Sequence, residues 1–535
     1  MSLPRFLDRV VDATAPILGG LDRDAVRAKL ETSSVMLVGG VRAETGPSRD
    51  GFLLAANLLA RLYPHIRLRG SDELVHAAET EIILVNPMAD VAVGDEQTAA
   101  TLGYETTVDN GVSVSAHGWN VYVDTGVDVS DAAAGVAALL AAALGVSELF
   151  RVVFADELGE RGRRGPQSGA FNLVTLGEPS FDLPVPTTLD VGEFRLVGAG
   201  AIGQAAAKTL ALAGVRGTMV VVDNEKVALS NLQRYVLTRD SDIGAVKVDL
   251  LRDRLMRSDL AVVPVEAEWH AGLVAAQLAT LVALDSPEDR IGVQSSLPGP
   301  IYNAWTQPAD VGWSRHEHFG EEPCLACLYW PLGETPSRHE LIATVFQQDP
   351  LRVLAYLVHR LPIGLPLPPG GVPAVPGFEA VPVEVERWMQ TPLVDDIASA
   401  AHIDVTALVD WRDRPLADVY QDGICGGALL HLNVGEAPRE VLVPLAHQSA
   451  LAGVMLAAQF IVAEVPELAV ARPSASEARY DVLAGLPQMF ARPRVRTPNC
   501  LCGDAVFRAV YGDKLDEEAL ASRPTAESTT EAGVA

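Results

Sequence analysis

Two stretches of the chain show the same order of apolar and polar positions. Each has a short apolar run, a glycine-containing turn, a segment with apolar residues at helical spacing, and further short apolar runs. In the first stretch the apolar runs are 35–38, 66–68 and 82–85, with a helix over about 49–62. In the second they are 194–197 and 219–222. Such alternation predicts two α/β units, each built as strand, turn, helix and strand around a parallel sheet.

The turn of the second stretch contains Gly198, Gly200 and Gly203, in the spacing G-x-G-x-x-G. Glycines let the backbone turn sharply and approach a phosphate, and the following helix points its free N–H groups at that phosphate. Asp223, at the end of the next apolar run, is placed to accept hydrogen bonds from ribose hydroxyls. These residues alone predict a nucleotide site, for NAD or FAD as well as for ATP.

Charged and amide side chains follow Asp223 in the pattern D-x-E-x-V-x-x-S-N-L-Q-R, which supplies Glu225, Asn231 and Arg234, and Lys247 comes thirteen residues later. A dehydrogenase has no need of this set. A triphosphate does, since Arg and Lys donate to its oxygens and offset its charge. The alternative is a dinucleotide-type fold that has lost its chemistry.

With these residues the segment resembles the E1 superfamily, which includes ThiF, MoeB and the ubiquitin-activating enzymes. The resemblance implies that the matching positions bind ATP and adenylate the C-terminal glycine of a ubiquitin-like protein, with Arg234 and Lys247 in catalytic roles. Tyr235 stands where the family usually has Gln. The resemblance also implies that Asp285, followed by Arg290, coordinates Mg²⁺. A helix N-cap is the alternative role of Asp285.

The N-terminal stretch has a broken glycine motif and no matching charged loop. Small-residue helices near 132–144 and after 452 strengthen the impression of a weak internal repeat. E1 enzymes need a pair of such units, so residues 1–165 resemble an inactive adenylation domain fused to the active one; an unrelated α/β domain is the alternative. An arginine of the partner domain often reaches the ATP in this family, which makes Arg5 and Arg9 candidates by position.

The predicted domain limits follow from composition. Residues 166–190 are predicted to be a linker, and 191–513 the active adenylation domain, with a crossover loop and catalytic-cysteine segment at 295–445. The acidic tail, 514–535, is predicted to be disordered.

The five cysteines form two close pairs and one single residue. Cys324 with Cys327, and Cys500 with Cys502, predict a tetrahedral Cys₄ zinc site. The nearby His316 and His318 are possible replacement ligands.

Cys425 lies between the pairs in D-G-I-C-G-G, where the family holds its catalytic cysteine. It is predicted to attack the acyl-adenylate as a thiolate. A small buried apolar side chain is the alternative.

Composition limits the compartment and partners. Apolar residues make up 49% and charged residues 21% of the chain, and the net charge is −28. This charge argues against a nucleic-acid partner. A signal sequence is not evident, and the apolar run at 132–146 is too short to span a membrane. With unpaired cysteines, these features predict a cytoplasmic protein that does not bind membranes.

The functional hypothesis is an E1-like enzyme that adenylates a ubiquitin-like protein ending in glycine, using ATP, Mg²⁺ and Zn²⁺. It would then form a thioester and pass the acyl group to an E2-like carrier, as in bacterial ubiquitination-like pathways, some of them antiviral. The first alternative is adenylation of a sulfur carrier or a ribosomal peptide without E2 transfer. The second is a scaffold that senses nucleotide. A homodimer is compatible with each.

Overall fold

The computed structural model describes residues 6–18, 22–94, 98–109, 111–125, 133–159, 168–270, 273, 277–307, 310–329, 444–483, 489–497 and 500–521 of the chain. They form two α/β halves, each built on its own sheet. The predicted fold class, a pair of Rossmann-like units, is confirmed.

The N-terminal half contains seven strands and five helices among the described residues. The strands are β1 (Ser34–Gly39), β2 (His65–Arg69), β3 (Asp90–Val93), β4 (Ala100–Tyr104), β5 (Gly111–His117), β6 (Asn120–Val123) and β7 (Gly169–Asn172). The helices are α1 (Leu7–Ile17), α2 (Arg23–Thr32), α3 (Gly46–Ala60), α4 (Asp72–Val85) and α5 (Gly135–Val153).

The C-terminal half continues the numbering. Its strands are β8 (Leu189–Val197), β9 (Val215–Val222), β10 (Leu260–Val265), β11 (Thr280–Val282), β12 (Ile301–Thr306), β13 (Asp310–His316), β14 (Glu477–Asp481) and β15 (Met489–Arg492). Its helices are α6 (Ala201–Leu212), α7 (Lys247–Leu255), α8 (Pro287–Ser295), α9 (Ala446–Glu464), α10 (Pro466–Ala471) and α11 (Ala505–Ala521).

The two sheets share one topology. The N-terminal order is β3-β2-β1-β4-β5-β6-β7 and the C-terminal order is β10-β9-β8-β11-β12-β13-β14-β15. In each, the first five strands are parallel and the later ones antiparallel. The strand order reverses beside β1 in one sheet and beside β8 in the other, which is where such sheets bind ligands. The internal repeat predicted from the sequence thus extends over seven strands of each sheet, and β15 is an additional edge strand of the C-terminal sheet.

Several sequence predictions of local structure are wrong. Residues 82–85 end helix α4 instead of forming a strand, because Leu74, Ala78, Ile82 and Val85 recur at helical spacing and bury one face. Polar and apolar residues alternate over 112–123, which predicts one strand; this segment instead forms a hairpin, β5 and β6, which turns at Gly118 with a φ of +52°.

The domain limits also differ from the prediction. The proposed linker, 166–190, contains β7, which pairs with β6 and completes the N-terminal sheet. The acidic tail is helical through Ala521, so disorder from 514 is wrong for that part; 522–535 lie outside the described residues. The sequence predicts a helix at 384–410 and a strand at 441–445. Of these two segments, the structure describes only residues 444 and 445.

Helices α5 and α9, one from each half, pack against each other. Both are 19 residues long and apolar enough to qualify as candidate membrane spans, yet 94% of the apolar window in each is buried inside the fold. Core helices of globular proteins show the same pattern. His447, in the first turn of α9, packs its ring 5.5 Å from that of Phe150, and burial lowers its pKa to about 3.

A buried charged network joins the same two halves. Glu148 and Arg151 of α5 form an ion pair, and Tyr480 of β14 donates a hydrogen bond to Glu148 at 3.2 Å. Arg151 also donates to the Leu483 carbonyl at 3.1 Å. Because a buried charge is stable only when paired and hydrogen-bonded, this network requires both halves to be present.

Close packing of α9 on α6 predicts the effect of adding one methyl group. A Cβ on Gly453 would lie 2.5 Å from both the Cβ of Ala205 and the carbonyl oxygen of Ile202. Gly453→Ala is therefore expected to lower the free energy of unfolding by about 1–3 kcal/mol in denaturant titration. The matched control is Gly292→Ala, at an exposed position of α8 with open space around it, which should raise stability by about 0.5–1 kcal/mol. An equal change in the free energy of unfolding in the two variants would contradict this packing.

Candidate active site

The glycine turn lies between β8 and α6, at the carboxyl edge of the sheet. Gly198 has a φ of +97°, and a Cβ there would lie 2.6 Å from the Ala283 carbonyl oxygen. A Cβ on Gly203 would lie 1.9 Å from the carbonyl oxygen of Gly198. Gly200 is the N-cap of α6. The first and third glycines are therefore sterically required, and the helix N-terminus faces the space above the sheet.

Asp223 holds this turn in place. Its carboxylate accepts a hydrogen bond from the backbone N–H of Ala199 at 2.7 Å and another from that of Glu225 at 2.8 Å. Burial raises the pKa of Asp223, while the charge of Lys247 and both hydrogen bonds oppose the shift. The residue predicted to orient ribose thus also fixes the backbone of the turn.

Lys247 is a buried cation next to the turn. It begins helix α7, its side chain is 3% exposed, and its ammonium forms an ion pair with Glu225. Burial alone would lower the pKa of Lys247; Tyr235, Asp223 and Glu225 outweigh burial and raise it. The ammonium remains charged, with one partner, Glu225, that is half exposed.

Tyr235 is the aromatic platform beneath both cations. The Arg234 guanidinium carbon lies 5.5 Å and the Lys247 Nζ 5.2 Å from the centre of its ring. A Cβ on Gly200 would lie 3.4 Å from the Tyr235 hydroxyl. The residue that departs from the family pattern therefore joins the glycine turn to the two predicted phosphate ligands through cation–π contacts.

Asn231 has a structural contact in addition to any ligand contact. Its side-chain carbonyl accepts a hydrogen bond from the Ala228 N–H at 2.8 Å and closes the 3₁₀ turn Leu229–Asn231. This turn sets the direction in which the chain enters Arg234.

Asp285 is an exposed carboxylate at the same sheet edge. It follows β11, whose continuation at Ala283 donates a backbone hydrogen bond to Val197 at 2.8 Å, directly before the glycine turn. The N-cap of α8 is Ser286, which accepts from the Asp289 N–H, so Asp285 is not the cap. Arg290 is buried and donates to the Leu284 carbonyl, and to Asn303 at 3.1 Å. It fixes the loop that presents Asp285.

One candidate arginine of the N-terminal half lies close to this site. Burial lowers the pKa of Arg9 in α1, Asp12 opposes the shift, and the positive charge of Arg234 adds to it. Arg9 is therefore within electrostatic range of Arg234. Arg5 lies outside the described residues.

The equivalent edge of the N-terminal sheet is closed. A Cβ on Gly40 would lie 2.0 Å from the carbonyl oxygen of Glu105, which follows β4 with a φ of +56°. The Glu105 side chain is 1% exposed, pairs with Arg42 and accepts a hydrogen bond from Ser48 at 3.2 Å. Burial raises its pKa, and Arg42 opposes the shift. The ion pair of Glu105 and Arg42 occupies this edge, whereas the same edge of the C-terminal sheet presents two cations.

Four cysteines come together in one buried cluster. The Cys324 and Cys500 sulfurs are 3.6 Å apart, those of Cys327 and Cys502 are 3.5 Å apart, and all four lie within 4.8 Å of one another. Sulfurs bound tetrahedrally to zinc at about 2.3 Å lie roughly 3.8 Å apart. The four thiols are thus placed to hold one metal ion.

The surroundings of the cluster fit thiolate ligands. The side-chain hydrogen bond with Cys324 lowers the pKa of Cys327 to about 4 against the effect of burial, and the Thr497 N–H adds a donor at 3.4 Å. His316 is not a ligand, because its ring nitrogens face the Pro323 carbonyl and the Ser314 hydroxyl. Cys425 lies outside the described residues.

Comparison with known proteins identifies relatives. The ThiF family matches residues 188–285. The uncharacterized protein y4jF of Sinorhizobium fredii is 29% identical over 96% of this chain and 98% of its own length. The molybdopterin-synthase adenylyltransferase of Escherichia coli is 32% identical over 29% of this chain, which spans 65% of that protein. The SAMP-activating enzyme E1 of Haloferax volcanii is 45% identical over 14% of this chain and 27% of its own length.

Among solved structures, that of E. coli MccB with MccA-N7isoASN covers 67% of this chain and 75% of its own, with 14% identity and a TM-score of 0.33. The glycine turn, the charged loop that follows it, Lys247 and Asp285 all lie inside the ThiF match. Residues 188–285 therefore form a segment similar to the ThiF family, and the relatives that this part of the chain resembles include adenylyltransferases and an E1 activating enzyme.

Proposed function

We propose that this protein adenylates the C-terminal carboxylate of a small ubiquitin-like protein that ends in glycine. The observation that carries the proposal is the pair of cations, Arg234 and Lys247, that contact one tyrosine ring beside the glycine turn. Two cations next to a helix N-terminus suit a triphosphate better than a nicotinamide dinucleotide. In the reaction, the substrate carboxylate attacks the α-phosphorus of ATP, the bond to the bridging oxygen breaks, and pyrophosphate leaves.

The described residues divide this work between binding and charge stabilisation. The glycine turn admits the phosphates, and Arg234 and Lys247 offset the negative charge that increases on the pyrophosphate as it departs. Asp223 supports the turn and lies where the ribose would bind. Arg9 is the candidate for a contribution from the N-terminal half.

Asp285 is the residue that would hold Mg²⁺. The ion favours one or two carboxylates together with phosphate oxygens, and this exposed carboxylate at the carboxyl edge of the sheet meets that requirement. When bound, Mg²⁺ would supply further positive charge at the phosphates.

A protein substrate is supported by the names of the relatives. One is a SAMP-activating enzyme E1, and another, from Aspergillus terreus, is an adenylyltransferase and sulfurtransferase, uba4, 44% identical over 71 residues. The second name favours the alternative function, in which a sulfur carrier or a ribosomal peptide is activated and no E2-like carrier takes part.

Lys247 allows a direct test of the ATP site. Lys247→Ala is expected to lower ATP–pyrophosphate exchange by about 10²–10³-fold, because it removes charge stabilisation in a buried site. Exchange is measured with radiolabelled pyrophosphate and a small ubiquitin-like protein that ends in Gly-Gly. Asp285→Ala should cause a comparable loss. The matched control, Lys226→Ala, changes an exposed lysine of the same segment and should retain full exchange. Undiminished exchange in Lys247→Ala would contradict the proposal.

Thioester formation is the second step of the proposal. The Cys425 thiolate would attack the acyl carbon, displace AMP and carry the acyl group for transfer to an E2-like protein. Cys425→Ala is expected to retain pyrophosphate exchange and to lose a thiol-sensitive adduct with the small protein in non-reducing electrophoresis. If the adduct persists in this variant, the nucleophile is another residue. If wild type adenylates without forming an adduct, the alternative function is favoured.

Zinc is the metal that the four clustered thiols fit best. We expect about one zinc per chain by elemental analysis of the purified protein. Cys500→Ser should reduce that content and lower the melting temperature, because metal binding contributes to folding. Ser295→Ala, at an exposed hydroxyl in α8, is the control and should keep the metal. A full zinc content in Cys500→Ser would exclude the cluster as the site.

A further inference from the structure

The loop from Leu232 to Thr238, which carries Arg234 and Tyr235, is held by an arginine of the other half. Arg61, at the C-terminal end of α3, donates one guanidinium nitrogen to the Leu232 carbonyl and another to the Thr238 carbonyl at 3.0 Å. The Arg61 side chain lies 171 residues away from Leu232 in sequence and is 1% exposed. One side chain thus binds both ends of the loop.

Asn57, one helical turn earlier, completes this contact. Its side-chain oxygen accepts from the third guanidinium nitrogen of Arg61 at 2.9 Å, and its nitrogen donates to the Val236 carbonyl at 3.1 Å. The same nitrogen lies 2.6 Å from Glu81 of α4. Since residues four apart lie on one face of a helix, α3 presents Asn57 and Arg61 together. We call these two residues the α3 clamp.

The opposite side of the loop is attached to the active half. Gln204, in the first turn of α6, accepts from the Leu237 N–H at 3.1 Å and from the Thr238 hydroxyl at 3.0 Å. Arg254 of α7 donates to the Leu237 carbonyl at 3.0 Å. The loop therefore lies between the α3 clamp and the helix that begins at the glycine turn, and its backbone position depends on both.

We propose that Asn57 and Arg61 are positioning residues for the ATP site, acting through the loop that carries Arg234 and Tyr235. Without the α3 clamp, the carbonyls of Leu232, Val236 and Thr238 would lose buried donors, and the loop would exchange its single conformation for several. The Arg234 guanidinium would then be less often in place for a phosphate. The predicted effect of the clamp on ATP binding rests on the proposed function. Its predicted effect on the conformation of the loop does not.

The geometry predicts that lysine cannot replace Arg61. A guanidinium donates along fixed directions to three acceptors at once, while an ammonium on a flexible stem is a point charge. Arg61→Lys keeps the positive charge but loses the planar set of donors that reaches all three acceptors. Arg151→Lys is the matched control, because Arg151 is also a buried arginine that joins the halves, through the Leu483 carbonyl, away from the loop.

The test combines two measurements on the full chain. In hydrogen exchange without nucleotide, Arg61→Lys should speed exchange of the amides of 232–238 by about tenfold, and Arg151→Lys should leave them at the wild-type rate. In pyrophosphate exchange, Arg61→Lys should raise the KM for ATP by about tenfold and leave the KM for the small protein unchanged. Asn57→Ala should also speed amide exchange of 232–238 and raise the KM for ATP. This variant replaces Arg61→Lys in the test if Arg61→Lys does not fold.

Each outcome separates this inference from the proposed function. Equal acceleration of the loop amides in Arg61→Lys and Arg151→Lys would overturn the α3 clamp, since both would then act through general loosening of the interface. An unchanged KM for ATP alongside faster loop exchange would show that the clamp holds the loop without affecting ATP binding, and would overturn the proposed positioning role. If wild type shows no pyrophosphate exchange, the proposed function fails, while the loop amides still decide whether the clamp exists.

Discussion

A buried loop that turns back on itself must find donors for its carbonyl groups, and this requirement connects the two halves of the molecule. The loop that presents Arg234 and Tyr235 obtains those donors from Arg61 and Asn57 in α3. Leaving such carbonyls unpaired would cost about 1–3 kcal/mol each. The active site is therefore not a property of the C-terminal sheet alone. The packing of α5 on α9 and the Glu148–Arg151 network hold the interface at which these donors arrive.

The same topology serves two chemical purposes because the residues at the strand ends differ. After β1 and β4 the N-terminal half places Gly40 against Glu105, and a carboxylate with Arg42 fills the edge of the sheet. After β8 and β9 the active half places glycines, Arg234 and Lys247. A duplicated fold thus separates into a half that presents cations to a ligand and a half that uses its helices to support them.

The glycine turn and the paired cysteines could be predicted from the sequence because their constraints are local. Gly198 and Gly203 are required by contacts within a few residues or across one strand, and two close cysteine pairs have few other uses. The strand prediction for 82–85 fails because this mainly β-branched run favours a strand locally, whereas burial together with Leu74 and Ala78 at helical spacing favours a helix.

The α3 clamp could not be predicted, because its donors and acceptors are about 170 residues apart and nothing in the spacing of Asn57 and Arg61 identifies carbonyl acceptors. The signal in the sequence is an asparagine and an arginine four residues apart in the otherwise apolar segment 51–61. Tyr235 was visible as a departure from the family pattern, but its role as a shared platform depends on the approach of Lys247 from α7, which only the tertiary structure shows.

The Lys247–Glu225 pair explains how a buried cation can exist both with and without nucleotide. An unpaired ammonium at this depth would be strongly destabilised, so a carboxylate must accompany it when phosphates are absent. Glu225 is half exposed and Lys247 almost fully buried, so the carboxylate can return to water while the ammonium stays. Phosphate binding would then exchange one anionic partner of Lys247 for another, and the released Glu225 recovers its hydration. Because the Tyr235 ring contacts Lys247 and Arg234 alike, both cations keep a common support during that exchange. The site is consequently preorganised for an anion, because the Glu225 carboxylate keeps Lys247 charged and in place before a phosphate binds.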